Sequence, residues 1–247
     1  EELVQNVKSH EREKRVEAYN TLLSRYEEEG PVIGEIYRSI ALDWKNENIN
    51  LRGFNTPISV RNMANDLEDE IVDMLLEIVR KKRHVFHEYF NLKSKILGHG
   101  MDRYDIYAPL SEQKKGFDFE RSKKTVLEML KEFDEEFFKN AEFVFQSNTI
   151  HSEITKNKRS GAFCMWIGND VPPYVMLNHL GRLEDIYTMA HEMGHAVHDV
   201  FTNGNSHFTA HPSLPLAETA SIFSEMLLSH KLLLSDEKEL KKSIYMR

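Results

Sequence analysis

The sequence predicts a mainly α, multi-helix fold with one small antiparallel β element beside the helix that carries its most informative motif. Three observations predict it. Apolar residues recur at spacings of three and four over most of the chain. Only two short runs, 163–167 (FCMWI) and 174–178 (YVMLN), read as strands. Hydrophobic residues at 40% and charged residues at 29% describe a globular chain rather than a disordered one, and 247 residues are enough to bury a sizeable core.

The elements follow in order. Residues 1–45 read as two helices, a charged amphipathic one to about Glu29 and another over 32–44, parted at Gly30 and Pro31 because proline lacks the amide proton a helix interior needs. The polar stretch 46–57 reads as a loop. Helix restarts at Pro57 and continues through Leu67, Ile71, Met74, Leu75, Ile78 and Val79, and a second helix continues through Val85, Tyr89, Leu92 and Ile96 to stop at Gly98 and Gly100. Residues 101–119, which carry the proline-limited run 104–110, read as an extended or looped crossing. Asp118 is placed to cap one long helix from about Glu120 to Phe145, with Leu127, Leu130, Phe133, Phe137, Phe138 and Val144 on its buried side. The two strands come next, joined by 168–173, and helices resume before residue 188, over 215–234 and from about Asp236. The change of texture after residue 146 divides the chain into a helical region, 1–146, and a region, 147–247, that holds the chemistry.

That chemistry centres on 188–202 (TMAHEMGHAVHDVFT). His191, Glu192 and His195 form H-E-x-x-H, the spacing by which a helix offers two imidazoles to one zinc ion with a glutamate as general base. On a helical winding, Thr188, His191, Glu192, His195, His198, Asp199 and Thr202 share one arc; Ile186, Met189, Ala190, Met193, Ala196, Val197, Val200 and Phe201 take the other. A catalytic zinc site needs a third protein ligand. The arrangement H-E-x-x-H-x-x-G-x-x-H is excluded, since His198 stands at its glycine and Phe201 at its last histidine. The remaining source is a carboxylate on the following helix, where Glu218, Ser221 and Glu225 share a face and Ala220, Phe223 and Leu227 can pack behind. Glu218 reads either as that ligand or as an ordinary first-turn glutamate. Glu225 reads either as a supporting group or as a plain carboxylate. Asp185 is either a helix cap or a group that orients an imidazole, and His198, one turn past His195, is a supporting group rather than a ligand.

Charge and cysteine content narrow the partners. A net charge of −8 argues against nucleic acid, and the basic run at 80–83 (RKKR) reads as a solvated helix face. Cys164 is the single cysteine, so no internal disulfide forms; it reads as a small buried hydrophobe. No apolar run approaches 18 residues and no signal peptide opens the chain, so the expectation is a cytoplasmic protein with no membrane partner. A start at Glu1 and a stop at Arg247 within helical-looking sequence lead to the expectation of a fragment.

Several blocks together resemble the oligoendopeptidase F family, relatives of thimet oligopeptidase: 158–163 (KRSGAF), 173–178 (PYVMLN) with Gly181, 185–198 (DIYTMAHEMGHAVH) and 217–225 (AETASIFSE), preceded by 52–54 (RGF), 92–97 (LKSKIL) and 104–110 (YDIYAPL). The resemblance implies a multi-helix peptidase fold with a deep channel, in which 1–146 forms part of the wall and 147–247 is the zinc-binding catalytic region, truncated at its C-terminal end. It implies His191, His195 and Glu218 as ligands of one zinc ion, Glu192 as general base and short peptides as substrates. Two departures stand out: the downstream histidine and tyrosine of the family pattern have no counterpart, and His179 stands where an aromatic residue is more usual. A rival reading is a helical binding or scaffold domain, or an inactive piece of such a peptidase. Oligomeric state is not set by the sequence.

Overall fold

The computed structural model describes residues 3, 6–110 and 116–246. Parts of three sequence expectations therefore lie outside the described residues: the first helix at 1, 2, 4 and 5, the crossing at 111–115, and the final residue of the last helix. The chain divides into two compact units, Glu1–Glu112 and Gln113–Arg247. Both are helical, and the second contains a three-stranded sheet.

In the first unit, α1 spans Arg12–Lys45 and runs through Pro31 without the expected break. Proline removes one hydrogen bond, at about 3 kcal/mol, but the long flanking ladders on either side keep the helix intact. A π turn, Asn46–Leu51, follows where a loop was expected, and Asn48 Nδ2 donates to the Trp44 carbonyl at 3.0 Å. Helix α2, Pro57–Ala64, starts as anticipated: the Thr56 side chain accepts from the Ser59 amide at 3.2 Å. A left-handed residue, Asp66 at φ 56°, ends that helical stretch before α3, Asp69–Leu97, so the break falls before Asp69 and the expected second helix from Val85 is the continuation of α3. Gly98, at φ 78°, closes α3 in the left-handed conformation that glycine adopts without penalty.

The crossing after α3 is a 3₁₀ turn, Arg103–Asp105, pinned by buried charge. Arg15 donates to Asp105 Oδ1 at 2.6 Å, to the Tyr104 carbonyl at 2.9 Å, and to the Ser9 and His10 carbonyls at 2.8 and 2.9 Å. Lys93 Nζ donates to the Ile106 carbonyl at 2.8 Å. Burial alone would raise the Asp105 carboxyl, but Arg15, the Asp102 amide, and the charges of His99 and Arg12 hold it below the usual aspartate range.

In the second unit the expected long helix is two, α4 (Phe119–Phe133) and α5 (Glu135–Gln146). Asp118 caps α4 as expected, accepting from the Arg121 amide at 2.8 Å. Asp134 makes the break: it lies in extended conformation, φ −160° and ψ 139°, and its carboxylate accepts from the Glu136 and Phe137 amides at 2.8 and 3.2 Å. Aspartate competes poorly inside a helix for the reason that makes it a good cap. The break leaves Leu130 and Val144 in the core and moves Phe133 to the surface, edge-on to Phe137 and Phe223. Both helices, grouped with 1–146 on sequence texture, pack against the motif helix in this unit.

The sheet has the order β1-β3-β2. Strands β2 (Phe163–Met165) and β3 (Tyr174–Met176) pair antiparallel, as expected, with Phe163 opposite Met176. Strand β1, Ile150–His151, pairs parallel to β3 and is too short to announce itself by alternation. Helices α6 (Leu183–Phe201), α7 (Leu214–Leu233) and α8 (Lys238–Tyr245) complete the unit.

Helix α6 is the core element, packed by α4, α5, α7, β2 and β3. Ile186, Met189, Ala190, Met193, Ala196 and Val197 are fully buried, each larger side chain contributing about 1.5–3 kcal/mol. Val200 is half-buried against the core, and Phe201 is exposed with its ring tilted against Phe137. On α7 the buried seam is Ser221, Ser224, Leu228 and Leu232 rather than the expected Ala220, Phe223 and Leu227. Small polar side chains take that seam because the two backbones come close there, as described below. Among the described residues no helix is long and apolar enough to cross a membrane.

Candidate metal centre

The start of the motif helix is capped by Asp185, whose carboxylate accepts from the Leu180 and Arg182 amides at 2.8 and 2.9 Å. Of its two sequence readings, Asp185 has the capping geometry, at the start of the helix. The cap anchors the first turn of α6, whose apolar arc enters the core and whose polar arc carries His191 and His195 one turn apart, rings 5.0 Å between centroids and 80° to each other.

Gly194 sets how near α7 can come. A Cβ there would lie 2.6 Å from the Ala220 carbonyl oxygen, 2.8 Å from Ser221 Cα and 2.8 Å from Ser224 Oγ, so only glycine allows this approach. The result brings Glu218 onto the two rings. Its Oε2 lies 3.3 Å from His191 Nε2 and 3.6 Å from His195 Nε2. Zinc bonded at about 2.0–2.2 Å to tetrahedrally disposed nitrogen and oxygen atoms separates its ligands by about 3.3 Å. These three residues are the group of histidine and acidic side chains, among the described residues, with ligand atoms close enough to share one ion. Donor set and spacing both fit a zinc-type cation.

The ring orientations are fixed from α7. His191 Nδ1 is 2.7 Å from Glu225 Oε1, a carboxylate acceptor, so Nδ1 is the donor of that contact and Nε2 faces Glu218. His195 bonds the Ala217 backbone carbonyl. Burial lowers the His195 pKa; the Glu218 charge opposes this, while His191 and His198 reinforce it, and the net direction favours the neutral ring a cation requires. His198 is outside the three-residue group, where it acts on His195 and Asp199 through its charge.

Glu192 is 6% exposed. Burial raises its carboxyl to about 7; His191 pulls down, Glu218 pushes up, and a backbone hydrogen bond from Cys164 pulls down. The Cys164 thiol is half-buried, donates to Asp199 Oδ2 at 3.4 Å and is pushed far up by burial, so it is no nucleophile. Beside Glu192 opens a cleft of about 390 Å³ lined by Gly161, Ala162, Asn178, Tyr187, Thr188, His191, Glu192 and Glu225. Asn178 Nδ2 bonds the Arg159 and Gly161 carbonyls at 3.0 and 2.8 Å, and Lys158 Nζ bonds the His151, Glu153 and Leu177 carbonyls, so this wall is tied to the sheet. His179, by contrast, is occupied with Ser122 Oγ at 3.1 Å and the Phe119 ring.

The profile of peptidase family M3 matches residues 6–246. The chain belongs to peptidase family M3. Among M3 relatives it is 32% identical over 238 residues to the chromosomal oligoendopeptidase F of Lactococcus lactis subsp. cremoris, covering 94% of this chain and 39% of that protein. It is 29% identical over 231 residues to the group B oligopeptidase PepB of Streptococcus agalactiae, covering 92% of this chain and 38% of the relative. The fold is that of PZ peptidase A solved with an inhibitor, at a TM-score of 0.82 and 20% identity over 98% of this chain and 44% of that one. The chain thus spans about two fifths of the length of the curated M3 relatives it matches.

Sequence reasoning gave no role to Gly194, placed Ser221 on the Glu218 face without assigning it one, and took Gly161, Ala162 and Asn178 only as parts of the blocks that carry the resemblance. A signal for the first two was present: Gly194 faces Ala220, Ser221 and Ser224, and small residues in register on successive helices mark close backbone approach. The cleft wall at Gly161, Ala162 and Asn178 falls within two of those blocks, but nothing in their spacing shows that they line one cleft.

Proposed function

We propose that this chain carries the catalytic part of a zinc-dependent endopeptidase that hydrolyses internal bonds of short peptides, with His191, His195 and Glu218 as metal ligands and Glu192 as the general base. The single observation that carries the reading is the convergence of His191 Nε2, His195 Nε2 and Glu218 Oε2 beside the buried Glu192. Family membership supports a peptidase, and the donor set supports a divalent cation. A zinc ion, when bound, supplies Lewis-acid polarisation of water and of the peptide carbonyl.

The protein's own groups do the rest. Glu192, raised toward neutrality by burial, takes a proton from the attacking water at a carboxylate oxygen and returns it to the departing amine. The backbone hydrogen bond from Cys164 holds that carboxylate beside the histidines. Strand β2 lies at an edge of the sheet, immediately after Gly161 and Ala162 of the cleft, which suits main-chain pairing with an extended peptide. In this reading 147–247 is the catalytic region and 1–146 contributes to a channel wall.

The test is metal analysis and cleavage of a fluorogenic peptide by the full chain and its Glu192→Gln variant. The expected outcome is retained zinc with activity reduced at least about 100-fold, the lower range for loss of a general base. Full activity in Glu192→Gln would remove Glu192 from its role, and chelator-insensitive cleavage would remove the metal.

A further inference from the structure

Two of the three proposed ligands are oriented by α7, His191 by Glu225 and His195 by the Ala217 carbonyl. The third has a partner of the same kind. Ser221, one turn beyond Glu218, is fully buried, and its Oγ lies 2.8 Å from Glu218 Oε2 and 2.9 Å from the Glu218 carbonyl oxygen. Oε2 is the atom that faces both imidazoles, at 3.3 and 3.6 Å.

Elsewhere on α7, the hydroxyls of Thr219 and Ser229 bond the carbonyl four residues back, at 2.9 Å in each case, and Ser229 also meets the Tyr187 hydroxyl at 2.9 Å. Ser221 differs from both by reaching a carboxylate oxygen. Its own position is held by the helix contact, since a Cβ on Gly194 would lie 2.8 Å from Ser221 Cα. The hydroxyl is therefore a fixed donor at the foot of a glutamate whose side chain is otherwise part-exposed.

We propose that Ser221 is a positioning residue for metal binding: its hydroxyl donates to Glu218 Oε2 and holds that oxygen between His191 Nε2 and His195 Nε2. The proposal rests on the ligand assignment above. A serine hydroxyl has one proton to give, so the alternative is that it goes to the Glu218 carbonyl alone and Ser221 does not hold the carboxylate.

Zinc affinity decides between them, measured by competition with a chromogenic chelator on the full chain, alongside the melting temperature of the metal-free protein. Ser221→Ala is expected to weaken zinc binding about 10–100-fold, the usual consequence of removing a partner of a metal ligand. Ser224→Ala, at another buried serine of the same helix contact, is expected to leave zinc affinity unchanged. In a Glu218→Ala background the effect of Ser221→Ala is expected to vanish, which a merely structural serine would not do.

Should Ser221→Ala not fold, Ser221→Cys keeps the shape with a weaker donor and is expected to show a smaller loss of affinity. Wild-type affinity in the Ser221 variant, an equal loss in Ser224→Ala, or a loss that persists without Glu218 would overturn the proposal while the ligand assignment stands. No zinc binding by the wild-type chain, or binding that Glu218→Ala leaves intact, would overturn both.

Discussion

Replacing Gly194 with alanine tests whether helix spacing builds the centre. The added Cβ would meet the Ala220 carbonyl oxygen at 2.6 Å, whereas ordinary contact starts at 3.4 Å, so α7 must retreat by about 0.8 Å. Metal ligands tolerate roughly 0.2 Å, so Glu218 would fall out of step with the histidines. Overpacking costs about 1–3 kcal/mol, and alanine returns about 1 kcal/mol of helix propensity, for a net loss of roughly 0–2 kcal/mol. Zinc affinity should fall at least about 10-fold, measured by chelator competition, with a modest fall in metal-free melting temperature. Gly34, inside α1, is the contrast: a Cβ added there would have nothing within 4 Å, and Gly34→Ala should stabilise by up to about 1 kcal/mol. A Gly194→Ala variant that binds zinc like wild type and gains stability as Gly34→Ala does would refute the spacing argument.

Two further predictions concern single contacts. Glu225→Gln removes the charge that orients His191 through Nδ1, and zinc affinity should fall about 10-fold, read by the same competition; an unchanged affinity would make Glu225 incidental. Asp105→Asn leaves the buried Arg15 guanidinium without its carboxylate and should destabilise the protein by about 3 kcal/mol near pH 7 in urea melts. The Asp105 carboxyl sits below 3.8 when folded, so its contribution is present above that pH and is lost as the pH falls through the lower folded value. The gap between wild type and Asp105→Asn should therefore close below about pH 3.8, and a gap that widens on acidification would contradict the assignment.

Much of this could be read from the chain because the informative signals are local. The two-faced winding of 188–202 placed Met189, Met193 and Val197 in the core and His191 and His195 on the open side, and the structure has them so. Gly98 stopped α3 where expected, and the hairpin runs paired. What escaped was set by competition between local and longer-range terms. Pro31 did not break α1, since one missing hydrogen bond is outweighed by a 34-residue helix. Asp134 broke α5 from α4 by capping, although the apolar spacing runs on across it. On α7 periodicity pointed to Ala220, Phe223 and Leu227, but the close approach at Gly194 turned Ser221 and Ser224 inward. The face of a helix that is buried is decided by its neighbour as well as by its own hydrophobicity.

In the proposed centre one cation is shared by two rings of α6 and one carboxylate of α7. Anomalous diffraction at the zinc edge, from crystals of the full chain grown with zinc, tests it most directly. The expected result is one strong peak per chain, about 2.0–2.2 Å from His191 Nε2, His195 Nε2 and Glu218 Oε2. A peak bonded to other side chains, or one that touches the histidines with Glu218 turned away, would contradict it.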